Sequence, residues 1–215
     1  MRGYLVTFEG VEGSGKSTQA ARLVEALEAE GLPTVAVREP GGTRLGEAVR
    51  EILLSTEHHQ MAAWAEANLY TAARAQLLKE VIIPQMAIGA IVVADRFVDS
   101  TFAYQGAGRG LEMAVLSAMQ LVLKVRPDLT FLLDLPPQEG FARQATLPGH
   151  QADRMEQEDL SFHTRVRDGY LDFARRDPDR YHVIDASQDR GVIAETALRV
   201  TLERATAHGV RRKSQ

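Results

Sequence analysis

Apolar residues in this chain gather into five short runs, and a polar cluster follows each one. Tyr4–Phe8, Thr34–Val37, Ala90–Asp95, Asp128–Asp134 and Tyr181–Asp185 have the length and the β-branched or aromatic content of buried strands. Between them the spacing turns helical. Gln19–Leu27, Leu45–Leu54, Met61–Met86, Met113–Val125, Gln138–Ala145, Leu160–Arg176 and Val192–Ala207 carry apolar residues at intervals of three and four. Pro84 falls inside the longest of these and is expected to kink or end it. Gly31-Leu32-Pro33 and Pro148-Gly149 are breakers. Strands alternating with helices predict an α/β fold, a five-stranded parallel sheet covered by helices on both faces. In such folds ligands bind at the carboxyl ends of the strands. The polar clusters fall there, which predicts a single site.

At 215 residues and 45% hydrophobic, the chain can bury one good core, so a single domain over residues 1–210 is expected, with a basic tail at 211–215. A net charge of −4 argues against a dedicated nucleic-acid binder. The absence of cysteine removes disulfides and thiolate metal sites. No signal peptide or long apolar span is visible, so a cytoplasmic protein with no membrane partner is expected. Of 25 basic residues only Lys16, Lys79, Lys124 and Lys213 are lysines. An arginine here therefore needs motif context before it counts.

The first strand runs straight into Gly10-Val11-Glu12-Gly13-Ser14-Gly15-Lys16-Ser17-Thr18, which fits the P-loop pattern. Glycines at 10, 13 and 15 let successive N–H groups converge on an anion. The helix that follows adds its unpaired donors and partial positive charge. Lys16 would reach the β- and γ-phosphates of a nucleoside triphosphate, and Ser17 would hold Mg²⁺. Asp95, at the end of an apolar strand, could orient the metal's shell. Further cations stand at strand ends or on the long helix, in Arg38-Glu39-Pro40, in Ala73-Arg74 and in Asp95-Arg96. Three arginines beyond Lys16 suggest a second anionic ligand, such as another phosphate. Tyr70 stands four residues before Arg74 on the same helix face, where the pair could stack on and hydrogen-bond a base; core packing is the commoner use of a helical Tyr.

Taken together, Phe8–Thr18, Arg38–Thr43, Ala72-Ala73-Arg74, Asp95-Arg96-Phe97, Ser100–Gly106, Arg126–Thr130, Leu133-Asp134, Asp153-Arg154-Met155-Glu156 and Ile184-Asp185-Ala186 resemble the bacterial thymidylate kinases, in order from about residue 4 to 190. The resemblance implies a P-loop kinase fold, ATP and dTMP as substrates, Mg²⁺ as cofactor, a short mobile lid at about 144–153 and a homodimer packed through long helices such as Met61–Met86. It also implies roles. Glu12 would hold the sugar 3′-hydroxyl, and Arg96, with Arg38 beside Pro40, the acceptor 5′-phosphate. Arg74 would hydrogen-bond the thymine, Tyr70 would stack on it, and Ser100 and Thr101 would meet its edge. Tyr104 would exclude a 2′-hydroxyl, and Gln105 would line the pocket. Arg143 would lie near the donor adenosine and Gln188 near its base.

This sequence departs from the family pattern in three places. Tyr70 stands where phenylalanine is usual, Gln138 stands where glutamate is usual, and the lid 144–152 contains no arginine. Only Arg143 and Arg154 flank it. Arg154, between Asp153 and Glu156 beyond the Pro148-Gly149 breaker, is expected to swing in as the lid closes and to stay solvated when it opens. With Lys16 and Arg96 it completes the expected catalytic set.

Overall fold

The structure, a computed structural model, describes residues 3–121 and 123–210. The expected basic tail at 211–215 lies outside the described residues. Five parallel strands form the sheet: β1 (Tyr4–Glu9), β2 (Thr34–Arg38), β3 (Ile91–Asp95), β4 (Leu129–Asp134) and β5 (Tyr181–Asp185), in the order β2-β3-β1-β4-β5. All six residues of β1 are buried, as a central strand covered on both faces requires. Phe8 pairs in register with Phe131 on β4, and their rings stack at 5.1 Å. Each such fully buried side chain contributes roughly 1.5–3 kcal/mol of transfer free energy.

The helices are α1 (Lys16–Ala29), α2 (Arg44–Leu54), α3 (Ala63–Leu77), α4 (Ile83–Ala87), α5 (Val98–Thr101), α6 (Met113–Leu121), α7 (Pro137–Ala145), α8 (Leu160–Arg176) and α9 (Arg190–His208). The long pattern expected over Met61–Met86 divides. A wider π turn at Leu78–Ile82 separates α3 from α4, and Pro84 stands in the first turn of α4, where its missing N–H costs little. The helix thus runs on past the proline.

Residues 98–108, read only as a motif, form a helical segment: α5 continues into a π turn at Phe102–Gly108. This segment packs on α8 at close range. A Cβ on Gly169 would stand 2.7 Å from the Ala107 side chain, and one on Gly108 would stand 2.6 Å from the Phe162 ring. Three caps fix where helices begin. Thr43 Oγ1 accepts from Gly46 N at 2.9 Å, Asp159 from Phe162 N at 2.7 Å, and Asp189 from Gly191 N at 2.7 Å.

The carboxyl ends of β1, β2 and β3 bring Glu9, Arg38 and Asp95 to one edge of the sheet. The strand order reverses around β1, whose loop opens into the resulting crevice.

Candidate active site

The loop between β1 and α1 folds as its residues require. Gly10, Gly13 and Gly15 take φ values of 140°, 71° and 94°. At Gly13 there is no room for a side chain either, because a Cβ would lie 2.3 Å from the Gly140 carbonyl oxygen of α7. Gly15 caps α1 without a side-chain hydrogen bond, so the first N–H groups of α1 remain for an anion. Lys16 curls over this loop, donating to Val11 O at 2.7 Å and to Ser14 Oγ at 3.4 Å. Burial, then the positive charge of Arg96, pushes the Lys16 ammonium down to about 8. At the start of α1, Ser17 Oγ donates to Asp95 Oδ2 at 2.5 Å, bringing together the two residues expected at the metal. Thr18 is exposed on the first turn of α1.

A cavity of about 370 Å³ opens beside this loop. Glu12, Gly13, Lys16, Ser17 and Asp95 line it together with Arg38, Glu39, Pro40, Arg50, Leu54, Tyr70, Arg96, Ser100, Tyr104, Gln105 and Met155. Gln144, Asp153 and Glu156 reach it from the expected lid and the segment after it.

Arg96 is the centre of this wall. Its φ of 70° is left-handed, a strained backbone for a non-glycine residue. The strain aims the guanidinium along the cavity, where it donates to Glu12 Oε1 at 2.9 Å, Tyr104 Oη at 3.0 Å, Gly10 O at 3.2 Å and Ser100 Oγ at 3.3 Å. It also lies over the Tyr104 ring, 4.9 Å from the centroid. Tyr104 in turn donates to Glu12 Oε1 at 2.6 Å. Burial would raise the Glu12 carboxyl, but Arg96, His163 and Lys16 outweigh it and hold it well below the usual carboxylate range. Glu12 is therefore an anion set among cations, and Arg96 is held charged.

Beneath them, Glu9 is fully buried and accepts from Phe97 N at 2.8 Å, Ser100 Oγ at 2.6 Å and Tyr170 Oη at 2.8 Å. Burial, helped by Asp99, pushes its carboxyl up to about 7.

A cavity that sets a glycine-rich P-loop beside a strained arginine and the Tyr104 ring invites comparison with known proteins. The thymidylate kinase family model matches residues 8–196. A thymidylate kinase from Pelotomaculum thermopropionicum is 46% identical over 205 residues, 94% of each chain. One from Desulforudis audaxviator is 48% identical over 197 residues, 90% of this chain and 88% of its own. The crystal structure of thymidylate kinase from Ehrlichia chaffeensis superposes with a TM-score of 0.74 at 33% identity, covering 93% of this chain and 99% of that one.

The chain belongs to the thymidylate kinase family.

The cavity of this family member brings some of the expected site residues together and leaves others out. Tyr70, Arg96, Ser100, Tyr104, Gln105, Arg38 and Pro40 all face the cavity. Arg38, half exposed, is held by Glu47 at 2.8 Å. Arg143 donates to Ala186 O at 2.9 Å, which ties α7 to the loop after β5, and Gln188 is exposed on that same loop.

Arg74 is different. It is neither on a solvated helix face nor in the cavity wall. Its guanidinium donates to Glu39 Oε2 at 2.7 Å, Thr101 Oγ1 and Gln120 Oε1 at 3.0 Å, and Phe97 O at 3.1 Å. These partners, with the second Glu39 contact through Nη2, occupy all five of its N–H groups. Thr101 is buried against Arg74 rather than exposed to a ligand. In this conformation neither residue can meet a base directly.

Arg154 also departs from expectation. It is buried rather than solvated, paired with Glu66 at 2.6 Å, and it donates through Nε to Leu53 O at 2.8 Å. A buried carboxylate on α3 draws it away from the phosphate loop.

Sequence reading missed Arg50, Glu9 and His163. Arg50 lines the cavity from α2 and donates to Pro40 O at 3.0 Å. The apolar phase of α2 could have placed it, since buried Gly46 is one turn before it and Val49 adjoins it. Glu9 carried a signal as well, a carboxylate ending an otherwise apolar strand.

Proposed function

We propose that this chain transfers the γ-phosphoryl group of ATP to dTMP, giving dTDP and ADP. The observation that supports this reading best is the single cavity that joins Lys16, Ser17 and Asp95 to Arg96, Tyr70 and Tyr104. Lys16 and the free N–H groups of α1 receive the donor phosphates. Arg38, Arg50 and Arg96 receive the acceptor phosphate, whose oxygen attacks the γ-phosphorus as the β–γ bridging bond breaks. Tyr70 faces the base, and Glu12 meets the sugar 3′-hydroxyl. Tyr104 crowds carbon 2′ and Gln105 closes the pocket beside it. Arg143 and Gln188 flank the adenosine.

Ser17 and Asp95 are hard oxygen donors in direct contact with each other. That suits Mg²⁺, which takes one or two protein oxygens and fills its shell with phosphate and water. When bound, it would supply positive charge to the donor phosphates. The charge on the transferring group then falls to Lys16 and Arg96, which already line the cavity; Arg154 joins them only by leaving Glu66.

Residues 1–210 act as one unit with a lid at about 144–153, where His150 Nε2 meets Glu156 Oε2 at 3.2 Å. Partly exposed Trp64 on α3 and Ile83 on α4 suit a homodimer through these helices. Among the described residues no helix is long and apolar enough to cross a membrane, and the cytoplasm is the proposed location.

A coupled assay of ADP release with dTMP, dUMP and thymidine tests the assignment. Turnover with dTMP and little with thymidine is expected, because a nucleoside leaves the arginines without an anion. Efficient turnover of thymidine alone would replace this reading with a nucleoside kinase.

A further inference from the structure

His163 stands in α8 with its side chain buried, yet it lines no part of the cavity. Its Nδ1 lies 3.1 Å from Glu12 Oε2. Two aromatic rings also adjoin it: Phe141 of α7 meets it edge-on at 4.9 Å, and Phe162 does so at 5.3 Å. Glu12 Oε1 already serves Arg96 and Tyr104, whereas Oε2 has no other neighbour with which it makes an aligned hydrogen bond. Neither ring nitrogen of His163 makes one either. Two buried polar atoms, each short of a partner, thus face one another at contact distance. A buried polar atom left without a partner is costly, so the pair gains by closing.

We infer that His163 is a positioning residue for phosphoryl acceptance: its Nδ1–H fixes the free oxygen of Glu12, which orients that carboxylate toward the acceptor sugar. The inference rests on the reading of Glu12 as the partner of the 3′-hydroxyl. Hydrogen bonds of this kind are often poorly aligned before substrate binds and tighten when it does. Without His163, Glu12 keeps its charge through Arg96 but loses the second point that sets its plane.

A plain packing histidine makes the opposite demands on substitution. Wedged between two phenylalanines, it would be replaced well by leucine and badly by asparagine. A positioning histidine is replaced well by asparagine, whose amide nitrogen falls near the place of Nδ1, and badly by leucine. The experiment measures affinity for dTMP and for its 3′-deoxy analogue in wild type, His163→Leu, His163→Asn and Glu12→Gln, together with the KM for ATP. His163→Leu is expected to weaken dTMP about tenfold, to leave the 3′-deoxy analogue and ATP within twofold, and to be rescued by His163→Asn. Equal weakening of both nucleotides by His163→Leu, while Glu12→Gln remains selective for dTMP, overturns the inference alone. Equal weakening of both by Glu12→Gln overturns the sugar reading as well.

Should the leucine variant not fold, nitrogen NMR of the histidine-labelled enzyme decides instead. Wild type should hold the proton on Nδ1. Glu12→Gln should move it to Nε2, because the glutamine oxygen stays with Arg96 and its amide turns toward the ring. An unchanged tautomer overturns the contact.

Discussion

Arg154 and Glu66 form an ion pair at 2.6 Å in which both side chains are buried. Glu66 also accepts from Gln105 at 2.8 Å and from Arg109 at 3.1 Å, so one carboxylate joins α3, the 102–108 turn and the segment after the lid. Breaking a buried pair leaves an uncompensated charge, and Glu66 is the charge that Arg154→Ala would leave. Its other partners limit the damage to the low end, about 3 kcal/mol, or a Tm lower by about 6–12 °C for a chain of this size. Thermal unfolding of Arg154→Ala, Glu66→Gln and the double variant should show losses that do not add. An unchanged Tm for Arg154→Ala would mean that the pair carries no stability.

The order of strands and helices was legible because each element states its own period. The α8 boundaries coincide with the apolar pattern, and β5 does likewise. The P-loop was legible for the same local reason, since its glycines, lysine and serine adjoin in sequence. Partner choice was not legible. Arg74 finds Glu39 across 35 residues, and Arg154 finds Glu66 across 88; nothing near either arginine distinguishes a buried clasp from a ligand contact. The helical segment at 98–108 was hidden because Gly106 and Gly108 lower local propensity, and packing on α8 supplies the stability instead.

Arg74 holds Glu39, and Glu39 adjoins the cavity residues Arg38 and Pro40. Burial raises the Glu39 carboxyl, and the Arg74 charge opposes that rise. Removing the arginine should cost about 3–5 kcal/mol by orphaning the carboxylate. Because the Arg38–Gly42 turn moves with it, Arg74→Ala should also raise the KM for dTMP at least fivefold and leave that for ATP within twofold. Urea unfolding and steady-state kinetics check the two effects separately. A stable variant with a normal KM for dTMP would show that Arg74 clasps nothing of consequence.

Glu9 gives the protein a pH signature. Its folded carboxyl titrates near 7 against an unfolded value of 4.5. Between those values the folded state binds the extra proton, so this group makes stability fall as pH rises from about 4.5 to 7. Below 4.5 its contribution is complete, and above 7 it is gone. Glu9→Gln keeps an acceptor for Phe97 N and offers an amide to Ser100 and Tyr170. Denaturation midpoints measured from pH 5 to 8 should therefore flatten in Glu9→Gln relative to wild type. Parallel curves would show that Glu9 is ionised throughout.

Lys16 should prove dispensable for folding and indispensable for turnover. Its hydrogen bonds to Val11 O and Ser14 Oγ lie within its own loop, so Lys16→Ala should leave the fold intact, although Glu12 loses one of the charges that hold its carboxyl down. Loss of one preorganised charge at a transferring phosphoryl group costs on the order of 3 kcal/mol or more, about 10²-fold or more in kcat. Dichroism and Tm should match wild type while ADP release falls by that factor. Normal turnover by the folded variant would refute the donor site.

The last prediction separates two duties of Tyr104. Its ring, 95% buried, meets Phe162 and Tyr170 edge-on, so truncation to alanine would leave a void costing about 3–5 kcal/mol and blur any change in selectivity. Tyr104→Phe keeps the ring and removes only the hydroxyl that bridges Arg96 and Glu12. A hydrogen bond to a charged group is worth about 1.5–3 kcal/mol, so the KM for dTMP should rise about tenfold or more as Glu12 and Arg96 lose their shared point. Discrimination against the 5′-monophosphate of ribothymidine should hold if, as proposed, the ring edge rather than the hydroxyl excludes the 2′ oxygen. Comparing kcat/KM for the two acceptors in wild type and Tyr104→Phe decides this. If selectivity collapses in the phenylalanine variant, the hydroxyl reads the sugar through Glu12, and ring bulk is not the filter.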